Sequence, residues 1–294
     1  MKKVVILGCG FVGRRAARLF AEAGWETIGV THSAESAAML NGEAFRAMAC
    51  DITDARGLAA AKELRGANAV ISAVSSGRGG VETYRAIYLR GIQNAIERLG
   101  AERALFVSST SVYGQTDGAW VTEESPAAPE SPTSRVLREA EEETLAHAGS
   151  VARLAAIYGP GRSVLLKRFM DGTAVIEGDG ARHINQIHAD DAARALFHII
   201  ARELPAGIYN VADDKPMTQL ACYEFLARKL GRPIPPCGTV DTPRKRAVTN
   251  KRVSNAKLKG RGWTLTYPSF EEALAGDEAL LAAARGDESG DGRP

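Results

Sequence analysis

The sequence predicts an α/β protein built on a doubly wound parallel sheet, and three observations support this prediction. An apolar run at residues 4–7 leads directly into a Gly-x-Gly-x-x-Gly turn, after which a helical pattern begins. Strand and helix patterns then alternate through the first two-thirds of the chain, as they do in parallel β-α-β units. Polar turns follow the predicted strands, at the edge where an open parallel sheet binds its ligands.

The first two-thirds of the chain divides into elements with recognisable starts and stops. Ser33 is placed to cap a helix that Asn41 and Gly42 would end. The strand at 69–74 ends in the flexible loop 75–80. The predicted strands are residues 4–7, 26–30, 44–49, 69–74, 104–107 and 151–155. The predicted helices are residues 14–23, 34–40, 55–64, 81–99 and 134–147.

The last third of the chain has a more mixed pattern. Its predicted elements are an extended segment at 182–188, helices at 190–201, 219–230 and 270–284, and a strand at 208–211. Residues 239–260 are basic and irregular. The tail at 285–294 is polar and rich in glycine, so we expect it to be disordered.

Composition excludes several classes of partner. A net charge of +2 over 294 residues favours neither nucleic acid nor a membrane surface, and no apolar run reaches the length of a membrane span. Cys9, Cys50, Cys222 and Cys237 lack the spacing of a disulfide framework or a zinc site. We therefore predict free thiols, no metal site and a cytoplasmic location.

The glycine turn predicts a dinucleotide site. Gly8 permits the tight turn, Gly10 lets the pyrophosphate approach the backbone, and Gly13 lets the helix pack closely on its strand. The helix start also offers backbone N–H groups and the positive end of its dipole to the phosphates. We therefore expect the whole turn, with Phe11 and Val12, to bind the cofactor.

Two further strand ends are candidates for the nucleoside part of this cofactor. The second strand ends at Thr31, His32 and Ser33, where no acid is present to bind the ribose 2′-hydroxyl of NAD, so NADP is favoured over NAD. Ser33 alternatively serves only as a helix cap. Asp51, followed by Ile52, is placed to accept a hydrogen bond from the adenine amino group, or else to cap the next turn.

Five motifs in this order and spacing resemble the extended short-chain dehydrogenase/reductases, the NAD-dependent epimerase/dehydratase family. They are Gly8-x-Gly10-x-x-Gly13, Asp51–Asp54, Ser108–Gly114, Tyr158–Gly161 and His188–Asp191. The resemblance implies a Rossmann-type domain with a smaller carboxyl-terminal substrate lobe and a site between them. The domain would comprise residues 1–156 and 183–212, and the lobe residues 157–182 and 213–284.

The resemblance also implies where the cofactor and the reacting groups lie. The nicotinamide of NADP or NAD would lie near Ser75, Ser109 and Tyr158, and Ala73 and Val74 would also bind the cofactor. Ser109 matches the catalytic hydroxyl of the family, which bonds to the reacting oxygen of the substrate, although it is also placed to cap the strand end. A homodimer through the helices at 84–99 and 134–147 is possible by the same resemblance.

The acid/base pair of the family is absent. Members carry Tyr-x-x-x-Lys on the helix after the fifth strand, where this chain has Ser134 and Arg138. Arginine remains charged and cannot pass a proton, although Arg138 could hold ribose hydroxyls or an anion. Its alternative is a surface pair with Glu142. Tyr113 could replace the missing acid, although in the family this tyrosine is usually structural.

Two more departures concern the substrate. Tyr88 and Ala156 stand where the family usually has Asn, which puts a UDP- or TDP-sugar in doubt. Three arginines, Arg162, Arg168 and Arg182, could receive an anionic substrate or are surface charges. The leading hypothesis is hydride transfer on a sugar-like or other hydroxylated small metabolite, as in an oxidoreductase, epimerase or dehydratase. The alternative is a protein that binds NAD(P) without chemistry, as a sensor or scaffold.

Overall fold

The computed structural model describes residues 1–77, 79–239 and 249–285. Its centre is a seven-stranded sheet in the order β12-β7-β5-β4-β1-β2-β3, and every pair of neighbouring strands in it is parallel. The strand order reverses between β1 and β4, which defines the switch point of a doubly wound sheet. The predicted Rossmann-type fold is therefore confirmed. Of the tail predicted to be disordered, residues 286–294 lie outside the described part of the chain.

Most predicted strands are present within one or two residues of their expected bounds. The strands are β1 (Lys3–Leu7), β2 (Glu26–Thr31), β3 (Arg46–Ala49), β4 (Ala69–Ser72), β5 (Arg103–Ser109), β6 (Trp120–Val121), β7 (Ser150–Leu154), β8 (Ala156–Tyr158), β9 (Ile176–Glu177), β10 (His183–Ile184), β11 (Gln186–His188), β12 (Ile208–Val211), β13 (Met217–Thr218), β14 (Cys237–Gly238) and β15 (Arg252–Val253). The very short strands β6, β9, β13, β14 and β15 lie outside the predicted strands, because two residues carry too little pattern to detect.

The helices differ from the prediction mainly in their continuity. They are α1 (Gly13–Glu22), α2 (Ala34–Ala38), α3 (Ala55–Ala60), α4 (Val81–Tyr84), α5 (Gly91–Leu99), α6 (Pro132–Ala146), α7 (Val164–Met170), α8 (Ala189–Ala201), α9 (Gln219–Leu230), α10 (Ala256–Lys259), α11 (Phe270–Gly276) and α12 (Glu278–Arg285). The helix predicted at 81–99 contains a π-helical segment at Arg85–Arg90, between α4 and α5. The helix predicted at 270–284 is broken at Asp277, where the backbone is extended.

Helix starts are fixed by the hydroxyl and carboxylate caps that the sequence provides. Ser33 accepts a hydrogen bond from the backbone N–H of Ser36, and Ser131 accepts one from Ser134. Such caps satisfy backbone donors that have no acceptor within the helix. At the other end, Gly100 and Gly231 stop α5 and α9 in the left-handed conformation that glycine adopts without strain.

Both faces of the sheet are buried by apolar side chains. Val4 and Ile6 point into the core on one face, whereas Val5 and Leu7 point into the core on the other, as the two-residue period of a strand requires. Helices cover both faces, and α1 lies beside α8 on one of them. The sheet therefore fixes the positions of all the turns at its carboxyl edge.

A separate apolar cluster forms the smaller lobe. It is built from α7, α9, α11 and α12, with Leu166, Tyr223 and Phe270 among its buried side chains. Within the predicted lobe, however, Val253 and Leu258 belong to the core of the sheet, because β15 pairs with β6 and α10 packs on β12. None of the helices in the described ranges has the length and hydropathy to cross a bilayer.

Candidate functional site

The turn after β1 has the geometry that its glycines predict. Gly8 has φ +87°, and a Cβ there would lie 2.6 Å from the Val74 backbone. A Cβ on Gly13 would lie 2.2 Å from the Gly8 carbonyl oxygen, so the helix can start here only without one. A Cβ on Gly10 would have no atom within 4 Å, because Gly10 faces open space. The turn thus leaves a bare backbone exposed at the start of α1.

The N-terminus of α1 carries no competing side-chain cap. Val12 occupies the cap position, and its side chain makes no cap hydrogen bond. Phe11 extends toward the lobe, with its ring 4.3 Å from the Arg15 guanidinium carbon and 5.2 Å from that of Arg162. Arg15 also pairs with Asp190 at 2.8 Å. A pyrophosphate at this turn would therefore meet backbone N–H groups and a positively charged surrounding.

The turn at the end of β2 is uncharged apart from a histidine. Ser33 caps α2, as the alternative reading of this residue proposed, and Thr31 donates a hydrogen bond to the Ser33 carbonyl oxygen at 3.1 Å. The His32 side chain is 82% exposed and lies 3.9 Å from Asp51. These three residues share the crevice edge with the glycine turn, because β1 pairs with β2.

Behind this turn lies a charge cluster that the sequence analysis did not detect. Arg14 and Arg18 both pair with Glu43, at 2.6 and 2.7 Å, and Glu43 is only 8% exposed. Hydrogen bonds from Arg18 and, less strongly, from Arg14 lower the pKa of Glu43 to about 2, against the opposing effect of desolvation. In this cluster two guanidinium groups share the carboxylate of Glu43.

Asp51 and Ile52 follow β3 and face different surroundings. Asp51 accepts hydrogen bonds from the Thr53 backbone and hydroxyl at 2.8 and 2.7 Å, so it caps the turn, and it is 42% exposed. Partial burial favours a higher pKa for Asp51, but these hydrogen bonds outweigh it and the pKa is lowered. Ile52 is buried against α5, since a Cβ on Gly91 would lie 2.6 Å from its side chain.

The loop after β4 borders the glycine turn and the mouth of β5. The Ala73 N–H donates to the Leu7 carbonyl oxygen at 2.8 Å, and Val74 packs on Gly8. Ser72 pairs with Phe106 in the β4–β5 register. Ser75 follows Ser72 by three residues, and Ser109 follows Phe106 by three residues. Both serines therefore lie at the same edge of the sheet.

Ser109 caps the short 3₁₀ helix at Thr110–Val112. Its hydroxyl oxygen accepts a hydrogen bond from the Ser111 N–H at 3.2 Å. The strand-end cap that the sequence allowed is therefore present. Ser109 is half-buried at the end of β5.

Neither residue that replaces the Tyr-x-x-x-Lys pair is placed to move a proton. Ser134 is 1% exposed, and its hydroxyl lies 2.9 Å from that of Ser131 and 3.1 Å from that of Ser111. Arg138 pairs with Glu141 at 3.3 Å and with Glu142 at 3.2 Å, and the second contact is the surface pair that the sequence allowed. Protein groups thus occupy both side chains.

Tyr113 is enclosed in the core and does not face the crevice. It is 0% exposed, and its hydroxyl lies 2.8 Å from both the Thr122 carbonyl oxygen and Asn210 Oδ1. Burial raises the pKa of Tyr113, although the guanidinium of Arg153 opposes this effect. We therefore withdraw Tyr113 as a candidate acid, because its proton is shared between two protein acceptors and no substrate oxygen could reach it.

A buried ion pair beneath the mouth of β5 was missed by sequence reasoning. Arg153 and Glu141 form two hydrogen bonds, at 2.9 and 2.6 Å, and both residues are at most 1% exposed. Ser108 donates to the same carboxylate at 2.6 Å, and Arg153 lies 4.7 Å from the centre of the Tyr113 ring. The signal for this ion pair in the sequence was Arg153 itself, a charged residue inside the strand predicted at 151–155.

Tyr158 belongs to the lobe core rather than to the crevice surface. Its ring packs edge-on against Phe270 and His188, at 5.1 and 5.3 Å between ring centres. Its buried hydroxyl has no hydrogen-bond partner among the described residues, and neither has one carboxylate oxygen of Asp213. Burial, reinforced by Asp213, raises the pKa of Tyr158. The next residue, Gly159, lies beside Phe11 of the glycine turn, since a Cβ on Gly159 would lie 3.3 Å from the Phe11 ring.

The three arginines considered for an anionic substrate lie in different surroundings. Arg162 lies beside Phe11 at the crevice. Arg182 lies 4.0 Å from Glu177 with its Nε buried, while Arg168 is exposed at the end of α7. The structure thus brings only Arg162 up to the glycine turn.

Comparisons with known proteins agree with this geometry. The NAD dependent epimerase/dehydratase family matches residues 4–212, which confirms the resemblance predicted from the motifs. Protein YeeZ of Escherichia coli K12 is 28% identical over 283 residues, covering 91% of this chain and 97% of that protein. The 2′-dehydrokanamycin reductase of Streptomyces kanamyceticus is 31% identical over 155 residues, covering 47% of this chain and 44% of the reductase.

A solved structure shares the whole fold. It is a protein of Methylobacillus flagellatus, provisionally assigned as an NAD-dependent epimerase/dehydratase. It has a TM-score of 0.78 and 28% sequence identity, and it covers 97% of this chain and 99% of its own. The sheet and the lobe described above are therefore shared by a protein of similar length.

Proposed function

We propose, from the premise that this chain belongs to the NAD-dependent epimerase/dehydratase family, that it binds NADP or NAD and transfers a hydride to or from a hydroxylated, sugar-like small metabolite. The observation that carries the proposal is the glycine turn. Gly10 presents bare backbone to open space, while Gly8 and Gly13 are packed where no side chain fits. This cradle fits a pyrophosphate at the start of α1.

In this proposal the residues around the crevice bind and orient two ligands. The turn at 8–13 holds the pyrophosphate, and Asp51 reaches the adenine. A bound nicotinamide supplies the hydride or accepts it. Ser109 orients the substrate oxygen by a hydrogen bond at the carboxyl end of β5. In the β4–β5 register Ser109 stands at the same level as Ser75. Arg162 favours a substrate that carries an oxygen-rich or anionic group.

The preference for NADP over NAD is part of the proposal. The β2 turn has no acid to bind a ribose 2′-hydroxyl, and His32 is exposed beside it. The similarity to the 2′-dehydrokanamycin reductase of Streptomyces kanamyceticus supports a reductive reaction.

A homodimer and a cytoplasmic location complete the proposal. The faces of α4, α5 and α6 would form the dimer contact, which sedimentation can test directly. A reducing compartment is favoured because all four cysteines are free.

One observation favours a second function, which is cofactor binding without chemistry. Protein groups engage both Ser134 and Arg138, so helix α6 offers no acid at the position where the family has its tyrosine. A sensor or scaffold needs only the glycine cradle. Turnover, not binding, separates the two functions.

The experiment titrates NADPH and NADH fluorescence and then assays the purified protein against ketoses, aldoses, amino sugars and polyols. We expect tighter binding of NADPH and turnover of at least one compound. Ser109→Ala should lower kcat/KM about 10²-fold, as the loss of an oxyanion donor does, with cofactor affinity kept. Ser269→Ala, which also removes a helix cap but lies in the lobe, is the matched control. Binding without any turnover would favour the sensor.

A further inference from the structure

We propose that the hydroxyl of Tyr88 is the acid/base group of this site and acts from the π-helical segment between α4 and α5. This inference rests on the proposed hydride transfer. A carbonyl that gains a hydride must also gain a proton, so the site needs a residue that supplies it. Among the candidates already described, Ser134, Arg138 and Tyr113 are all engaged by protein groups.

The first observation is the position of the Tyr88 hydroxyl. Its oxygen accepts a hydrogen bond from the Ser76 backbone N–H at 3.3 Å. Ser76 lies in the loop after β4, one residue beyond Ser75, and this loop also borders Gly8. The Tyr88 ring lies edge-on to Phe106, which precedes Ser109 by three residues on β5. The hydroxyl therefore lies at the carboxyl edge of the sheet, beside the loop that carries Ser75.

The second observation is the backbone that carries the side chain. Residues Arg85–Arg90 form a π-helical segment, and Tyr88 lies in its middle. Such segments are rare in proteins and occur often at functional sites, because the wider turn rotates a side chain out of the regular helical register. Arg85 holds this segment against α6 through two contacts with Glu139, at 2.6 and 3.0 Å.

The third observation is the hydrogen bonding of the phenol. Tyr88 is 9% exposed, and within residues 1–77, 79–239 and 249–285 its oxygen accepts one hydrogen bond while its proton has no acceptor. The proton is thus available to a substrate oxygen. The Ser76 N–H points at the oxygen that becomes negative when the proton leaves, which stabilises that charge.

The proton transfer from Tyr88 accompanies the hydride transfer, and the reduced nicotinamide nucleotide and water are the other reactants. In the reductive direction the O–H bond of Tyr88 breaks and an O–H bond forms on the substrate, using the electron pair of the carbonyl π bond that the incoming hydride displaces. The hydride comes from the reduced nicotinamide nucleotide. The tyrosinate then regains its proton from water. In the oxidative direction the tyrosinate removes the alcohol proton.

The test compares Tyr88→Phe with Tyr84→Phe in the full chain. Tyr84 is the matched control, because its ring centre lies 4.9 Å from that of Tyr88 and it is also buried, at 4% exposed against 9% for Tyr88. Tyr88→Phe should lower kcat about 10²–10⁴-fold, remove the phenol limb of the pH–rate profile, and keep NADPH affinity. Tyr84→Phe should leave kcat, the pH–rate profile and NADPH affinity unchanged. Enzyme labelled with 3-fluorotyrosine should show the same limb at lower pH, because fluorine acidifies the phenol.

A readout that needs no turnover uses the same labelled protein. The fluorine resonance that is missing from Tyr88→Phe should shift when NADPH is added, since a nicotinamide bound as proposed would lie beside Tyr88. A resonance that does not respond overturns the placement. Normal kcat and pH dependence in Tyr88→Phe overturn the inference while leaving the proposed function intact. A wild-type protein that binds NADPH but turns over no compound overturns the proposed function, and the inference with it.

Discussion

At the scale of single residues, Glu141 has the most consequential surroundings. It is fully buried, and Arg153, Arg138 and Ser108 all donate hydrogen bonds to its carboxylate. Because Arg153 is 1% exposed, it has no access to water that could replace this partner. The pair is therefore far more costly to break than a surface salt bridge.

We predict that Glu141→Gln lowers the free energy of unfolding by about 3–5 kcal/mol, since it leaves the Arg153 charge buried and unpaired. Urea denaturation measures this change. Glu142→Gln on the same helix removes an acid that is 60% exposed and pairs only at the surface, so it should change stability by less than about 1 kcal/mol. Equal effects of the two variants would contradict the prediction.

Glu43 gives a pH-dependent prediction. Arg18 and Arg14 lower its pKa in the folded protein from the ordinary 4.5 to about 2, so the carboxylate stabilises the folded state. This contribution is fully present above pH 4.5 and is lost as the pH falls toward 2. Glu43→Gln should therefore cost about 2 kcal/mol at pH 7, as loss of a charged hydrogen bond does, and progressively less in acid.

Unfolding free energies of wild type and Glu43→Gln between pH 7 and pH 3 measure this effect. The exposed Glu22 on α1 provides the control, and Glu22→Gln should change stability at pH 7 by no more than about 0.5 kcal/mol. A gap between wild type and Glu43→Gln that is constant across the range would show that the carboxylate charge is not what stabilises the fold.

Residue roles could be predicted only where they are local in sequence. The cap at Ser33 followed from its immediate neighbours and is present. Tyr113 could not be assigned in the same way, because one of its hydroxyl partners, Asn210, is 97 residues away. The Arg153–Glu141 pair likewise joins β7 to α6 through the interior. Hydrogen-bond partners of this kind become visible only when the fold is known.

At the scale of elements, the glycine turn is the feature on which cofactor binding depends. We predict that Gly10→Glu abolishes binding of NADPH, because the added carboxylate would occupy the space of the pyrophosphate and repel it. Gly10→Ala is the matched control. Its Cβ meets no atom within 4 Å, so the fold should tolerate it. Calorimetry measures both affinities, and wild-type affinity in Gly10→Glu would contradict the assignment of the cradle.

The long helix predicted at 81–99 shows a limit of pattern-based prediction at this scale. Apolar spacing identifies a helix but does not by itself distinguish an α-helix from one that contains a π-helical segment. The break at Asp277 was missed for a related reason. Asp277 lies 3.1 Å from His188 and accepts the Leu280 N–H, and the first of these contacts depends on the tertiary fold.

At the scale of the whole molecule, the order of motifs predicted the sheet but not how the chain returns to it. The β-α-β pattern was enough to predict the strands of the parallel sheet, because each strand is short, apolar and followed by a polar turn. The placement of Val253 and Leu258 in the sheet core was not predictable, since the pairing of β15 with β6 joins segments that are far apart in sequence. Of the candidate site, the glycine turn and the β5 mouth came from motifs, whereas Tyr88 required the fold.

A buried carboxylate on α8 links the sheet domain to the segment that leads into α11. Asp191 on α8 is 0% exposed, and its two oxygens accept the backbone N–H groups of Thr266 and Tyr267 at 2.7 and 2.8 Å. These residues lead directly into α11 of the lobe. Asp191→Asn turns one oxygen into an N–H₂ donor facing a backbone N–H, which leaves two donors buried without an acceptor.

We therefore predict that Asp191→Asn lowers the free energy of unfolding by about 1–3 kcal/mol and increases amide hydrogen exchange at residues 266–276 more than in the sheet. The adjacent Asp190 is 51% exposed and pairs with Arg15, so Asp190→Asn should cost less than about 1 kcal/mol and leave exchange in α11 unchanged. If exchange rose uniformly in Asp191→Asn, the lobe and the sheet would unfold as one unit and this carboxylate would not be their specific link.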